Sequence, residues 1–297
     1  MDERDWRRLV DQLKAGDCTP FLGAGANGDN LPTASDLAKE WAARYDYPFN
    51  DRTNLSRVMH YAVIKEGGDG GYVKQQLINE CFANVPPPDF DDPVEPHALL
   101  ADFPIRVYLT TNYDNFMAEA LNSRQRTPEV AQSPWYTAKE PSEHRRLFAD
   151  KAGYDPQTDH PIVYHLHGHV QNPPSMVLTI DDYLDYLVKV ASTGHPLIPT
   201  RVRRAIGDVP LLFIGYSLQD WTFQVTFQSL LRVIPPSQRR RHMSVQLDPV
   251  SDDADDTARA AARDYLDRYF EGMRISIFWG SAQAFCAELR RRTGDGP

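Results

Sequence analysis

The chain has 297 residues, 41% hydrophobic and 25% charged, which is enough to bury a substantial core and unlike a disordered polymer. Its 32 Lys and Arg against 41 Asp and Glu leave a net charge of −9, so no global field draws it to nucleic acid, and no apolar run is long enough to span a bilayer. Three widely spaced cysteines, Cys18, Cys81 and Cys286, suit neither a disulfide scaffold nor a four-thiolate zinc site. With a charged amino-terminal stretch where a secretory signal would be apolar, they indicate a cytoplasmic protein.

In chain order, residues 3–16 put Trp6, Leu9, Val10 and Leu13 on one helical face and stop at Gly16. Apolar residues left exposed on that helix, Trp6 above all, would mark a partner surface. A short strand then runs into FLGAGAN (21–27), and helical periodicity returns at 33–45, 55–68 and 71–82 before a Pro-rich break. IRVYLTT (105–111) reads as a buried strand. Residues 117–160 read as loop with one or two helices, and the core pattern resumes at PIVYHLH (161–167), followed by a helix over 181–190. VPLLFIGYS (209–217) is apolar on both faces, as a central parallel strand must be. A helix over 221–234, strands at 243–248 and 273–280 and helices at 255–270 and 282–292 complete the pattern. Strands alternating with helices predict a doubly wound, mainly parallel Rossmann-like α/β sheet over residues 1–297. Mainly helical or irregular insertions at 33–100 and 117–160 would form a smaller subdomain.

Four unusual stretches fall at the carboxyl ends of predicted strands, where such sheets bind ligands. Gly23 and Gly25 allow close backbone approach to a phosphate, or simply a tight turn; the third glycine of the dinucleotide fingerprint and the Gly-Lys-Ser/Thr of a phosphate-binding P-loop are both missing. LTTNYDNF (109–116) delivers Thr111, Asn112 and Asp114 to the crevice: Asn112 can donate to and accept from a ribose hydroxyl or water, and the Asp114 charge favours a cationic transition state. His165, His167 and His169 alternate, which sends all three to one face if the strand continues that far. They can serve as metal ligands, as tied-down structural imidazoles, or as a base; no metal is assigned. Gly168 would leave room for substrate beside His167, which makes His167 the candidate base. In FIGYSLQDW (213–221), Gly215 permits close approach, Ser217 can reach a phosphate or ribose oxygen, and Asp220 can cap the next helix or bind ligand.

These four stretches, in this order across residues 18–221, resemble the sirtuin-like NAD-hydrolysing domains of bacterial anti-phage defence proteins. The resemblance implies NAD⁺ as substrate, with Gly23, Ala24, Gly25 and Asn27 at the glycine turn, Ala24 and Gly25 bordering the pyrophosphate. It implies Asn112 and Asp114, with Thr111 beside them, at the nicotinamide ribose and carboxamide, His167 as general base, and Gly215 and Ser217, with Asp220, on the adenosine half. It departs from protein-deacylating sirtuins, whose small module carries four zinc-binding cysteines. The implied reaction releases nicotinamide and ADP-ribose and acts in defence by depleting NAD⁺; a ribose or adenine group attacking in place of water would give a cyclic product. The alternatives are a non-catalytic NAD or ADP-ribose sensor and an NAD-dependent deacylase. Control is expected from homo-oligomerisation or from a separately encoded partner such as a ring-forming HerA-like ATPase, with no direct nucleic-acid or membrane contact.

Overall fold

The computed structural model describes residues 1–137, 155–191, 199, 202–203, 209–217, 227, 240–250 and 255–294. Seven parallel strands form one sheet: β1 (Thr19–Leu22), β2 (Val107–Thr110), β3 (Glu129–Gln132), β4 (Ile162–His165), β5 (Leu211–Ile214), β6 (His242–Gln246) and β7 (Ile275–Trp279). Their order, β3-β4-β2-β1-β5-β6-β7, runs outward from β1 on one side and then returns to its other flank. The switch point therefore lies at β1 and β5, where a doubly wound sheet opens its ligand crevice.

Strand alternation builds a core on each face. Leu22, Tyr108, Val163, Leu212 and Ile214 point into one cluster, and Phe21, Val107, Leu109, Ile162, Tyr164, Leu211 and Phe213 into the other. Burial on both faces explains why these strands read as continuous apolar runs. α1 (Glu3–Ala15) begins with a reciprocal capping box between Asp2 and Asp5 and ends at Gly16 in the left-handed conformation. Its Trp6 is buried, stacked on Phe285 and edge-on to Phe278. The expected partner surface at Trp6 is thus overturned: the apolar face of α1 is occupied by the last helix of the chain itself.

Residues 33–100 carry α2 (Ala34–Arg44), α3 (Leu55–Lys65), α4 (Gly70–Cys81) and α5 (Pro96–Ala101). The first three pack around Trp41 and Met59, joined by Met176 and Leu178 from the chain beyond β4, whereas α5 joins the core of the sheet. Within 117–160, α6 (Phe116–Ser123) is followed by β3, a strand where the sequence reads as loop. Glu129–Gln132 contains one β-branched residue, and its extended form follows from parallel pairing along all four residues of β4. α7 (Ile180–Ala191), α8 (Asp256–Glu271) and α9 (Ala282–Thr293) complete the named helices. The helix expected at 221–234 lies outside the described residues apart from the buried Phe227. Among the described residues no helix is long and apolar enough to cross a membrane.

Candidate functional site

At the carboxyl ends of β1, β2, β5, β6 and β7 lies a cavity of about 1050 Å³, as large as the largest usual small-molecule sites. β1 leads through Gly23 into a 3₁₀ turn, Ala24–Asn30, which is laid directly against the turn after β5. Gly25 N–H donates to the Gly215 carbonyl at 3.1 Å and Gly23 N–H to that of Ile214 at 2.9 Å. Gly215 has φ of +81°, and a Cβ there would lie 2.2 Å from the Ala26 nitrogen. These glycines are therefore required first for two turns to touch. Ala24, Gly25, Asn27, Gly215 and Ser217 line the cavity. Gly23 contributes its carbonyl to the floor beneath rather than a lining surface. Asp220 lies outside the described residues.

The floor is pinned at one atom. The Leu22 carbonyl accepts from Thr110 Oγ1 at 3.0 Å, Thr111 N–H at 3.1 Å and Tyr216 Oη at 3.0 Å. Since the Tyr216 hydroxyl proton is used there, Thr111 Oγ1 donates to Tyr216 Oη at 2.5 Å. Thr111 and Tyr216 both line the cavity.

Beside this seam, Asn27, Asn112 and Asp114 form a buried network. Asn27 Nδ2 donates to Asp114 Oδ2 at 2.8 Å, and Asn112 Nδ2 donates to the Gly23 carbonyl and to Asn27 Oδ1, both at 3.1 Å. Asp114 Oδ1 accepts from Phe116 N–H at 3.0 Å, at the start of α6. Both amide hydrogens of Asn112 are thus committed. This corrects the expectation that Asn112 donates and accepts at once: the group it can offer a ligand is Oδ1, an acceptor for a hydroxyl or a water.

The histidine run does not behave as one face. β4 ends at His165, and Gly168 turns the chain with φ of +89°. His165 and His169 come together, ring centroids 4.5 Å apart, while His167 lines the cavity with Tyr183 and packs edge-on against Tyr183 and Tyr186. Gly168 makes no room for substrate, since a Cβ there would lie 2.0 Å from the Ser175 carbonyl oxygen; it lets the chain pass Ser175. Burial pushes His167 down to about 3, so the candidate base is neutral throughout the physiological range. Among the described residues no three His, Cys, Asp or Glu side chains converge as a metal site would require.

Sequence reasoning missed the far wall, where Gln246, Asp248, Trp279 and Ser281 border the same cavity. The available signal was the same strand-end rule, because QLD and WGS also fall at the carboxyl ends of strands. Tyr183, from the start of α7, carried no such signal.

Residues 106–276 match the model of the SIR2-like domain family. The chain is also similar to NAD(+) hydrolase ThsA of Enterococcus faecium, 23% identical over 234 residues, 78% of this chain and 44% of that protein. It is 26% identical to NAD(+) hydrolase ThsA of Bacillus cereus (strain MSX-D12) over 227 residues, 76% of this chain and 42% of that one. The chain spans less than half the length of either relative. Joined to a parallel sheet with its crevice at the switch point, the match over more than half its length shows that the chain belongs to the SIR2-like domain family.

Proposed function

We propose that the chain hydrolyses the nicotinamide–ribose bond of NAD⁺, giving nicotinamide and ADP-ribose, and serves anti-phage defence by depleting NAD⁺. The observation that carries this reading is that Asn112, Asp114 and His167, from the ends of two adjacent strands, line one cavity with the glycine turn. Similarity to two proteins named NAD(+) hydrolase supports it.

In the proposed reaction the C1′–N bond breaks, its electron pair neutralising the departing pyridinium, and a water oxygen bonds to C1′. The water proton passes to neutral His167 and then to solvent. Asn112 Oδ1 orients the water or a ribose hydroxyl, and the Asp114 carboxylate opposes the positive charge that develops on the ribose. The depressed basicity of His167 suits a late proton transfer from a water already bonded to an electron-poor carbon, because such a water is far more acidic than bulk water. The glycine turn would border the pyrophosphate, with Gly215 and Ser217 on the adenosine side. An NAD-dependent deacylase fits less well: Cys18 and Cys286 are buried in the core, and no four-cysteine module exists in the chain. Control through homo-oligomerisation or a HerA-like ATPase belongs to the same proposal.

The test is nicotinamide release from NAD⁺ by purified protein, alone and with a HerA-like ATPase, alongside Asn112→Ala and His167→Ala. Turnover lowered to a small residual rate in both variants is expected. Tight NAD⁺ or ADP-ribose binding without turnover in any mixture would replace the enzyme with the sensor.

A further inference from the structure

The chain leaves the sheet abruptly at the end of β2. Thr110 faces His165 on the last rung of the β2–β4 ladder, and Leu166 N–H donates to the Thr110 carbonyl at 2.8 Å. Beyond that rung Thr111 N–H turns to Leu22 of β1, and Asn112 N–H donates to Thr110 Oγ1 at 2.9 Å. The Asn112 carbonyl is therefore past the ladder while its residue is still buried, and a buried carbonyl without a donor is costly. Its donor is a side chain: His165 Nδ1–H reaches it at 2.9 Å. A carbonyl only accepts, so Nδ1 carries the proton and the lone pair of the neutral ring lies on Nε2, which is buried with no hydrogen-bond partner. His165 is 1% exposed and does not border the cavity. Desolvation, reinforced by the neighbouring His169, holds it neutral.

We propose that His165 is a positioning residue for the hydrolysis: its imidazole serves as one extra rung of β4, fixing the Asn112 backbone so that the carboxamide stays aimed at the reacting centre. This rests on the NAD⁺-hydrolase reading. The two histidines of HLHG thus do different work, His167 at the cavity and His165 behind it. Asn112 is held by its N–H, its carbonyl and both side-chain amide hydrogens, and the His165 contact is the one of these supplied by a side chain of β4.

The experiment compares nicotinamide release by wild type, His165→Leu, His165→Asn, Asn112→Ala and the double variant His165→Leu/Asn112→Ala, in whichever mixture supports wild-type turnover. Leucine removes the donor, whereas asparagine places an amide N–H where Nδ1–H stands. His165→Leu is expected to lower kcat by about 10- to 100-fold with KM for NAD⁺ within about threefold, the scale of a slightly misplaced catalytic group. His165→Asn should recover most of that loss, and His165→Leu should cost nothing more once Asn112 is alanine. Equal losses in the leucine and asparagine variants, or losses that multiply in the double variant, overturn the proposal. Should His165→Leu not fold, ¹⁵N NMR of the wild-type imidazole decides: an Nδ1–H tautomer is expected, and Nε2–H overturns it. An inactive wild type instead marks failure of the hydrolase reading, while the tautomer still reports whether His165 holds Asn112.

Discussion

Asn27 joins the two catalytic candidates of β2 to the glycine turn, and its removal has a calculable cost. In Asn27→Ala the Asp114 carboxylate loses its 2.8 Å donor and Asn112 loses one of two acceptors, all three residues being at least nine-tenths buried. A hydrogen bond to a charged group contributes about 1.5–3 kcal/mol and one between neutral groups about 1, so the loss is roughly 3 kcal/mol. For a chain of this length that lowers Tm by roughly 6 °C. Asn27→Asp is more informative. It sets a carboxylate against Asp114, and should be less stable than Asn27→Ala near pH 7.5. Toward pH 5, protonation of one carboxyl converts the repulsion into a hydrogen bond, and the gap between the two variants should close. Urea denaturation of both variants and wild type at the two pH values measures this. A cost below about 1 kcal/mol for Asn27→Ala, or identical pH profiles for the two variants, would refute the hub assigned to Asn27.

The buried imidazoles make stability pH-dependent. His165 and His167 are pushed down to about 3 by burial, below an unfolded value near 6.5, so their contribution is complete above pH 6.5 and is lost as pH falls from 6.5 toward 3. Between pH 7.5 and 5.5 the two together should cost roughly 3 kcal/mol in chemical denaturation, and His167→Leu should remove about half of that dependence; an unchanged dependence in this variant counts against the assignment. Gly168→Ala and Gly67→Ala both place alanine at positive φ, but only the first drives a Cβ into backbone, since nothing lies within 4 Å of Gly67. Gly67→Ala should cost about 1 kcal/mol and Gly168→Ala at least about 3; equal denaturation midpoints would contradict this. Burial raises the thiols of Cys18 to about 12 and Cys81 to about 11, and raises Cys286 further still. Native protein should therefore react only slowly with a disulfide reagent at pH 8, against three fast thiols after denaturation.

The alternation of apolar strands and amphipathic helices makes the doubly wound sheet legible, and the strand-end rule alone points Asn112, Asp114, His167 and Gly215 to one crevice. What escaped depends on tertiary partners. Asn27 looked like one more turn residue, because nothing local says that its amide meets residues 112 and 114. β3 is extended through its pairing with β4, not its own propensity. Trp6 on an amphipathic helix predicts an apolar contact but not whether the chain supplies the other side. Burial of His167 is likewise a property of the tyrosines that α7 brings to it, and the strand-period argument for three aligned histidines failed where Gly168 reverses the backbone.

The shared carbonyl of Leu22 has a mechanical consequence. Donors from both wings of the sheet, Thr110 and Thr111 on one side and Tyr216 on the other, meet on that single oxygen. Prising the wings apart would break either the Tyr216 bond or both threonine bonds, according to the side that keeps β1, together with the Thr111–Tyr216 hydrogen bond, at about 1 kcal/mol each before any apolar surface is exposed. The crevice therefore works as a rigid keel: a change of shape at its rim that leaves the Leu22 carbonyl untouched also leaves the Asn112 floor undisturbed.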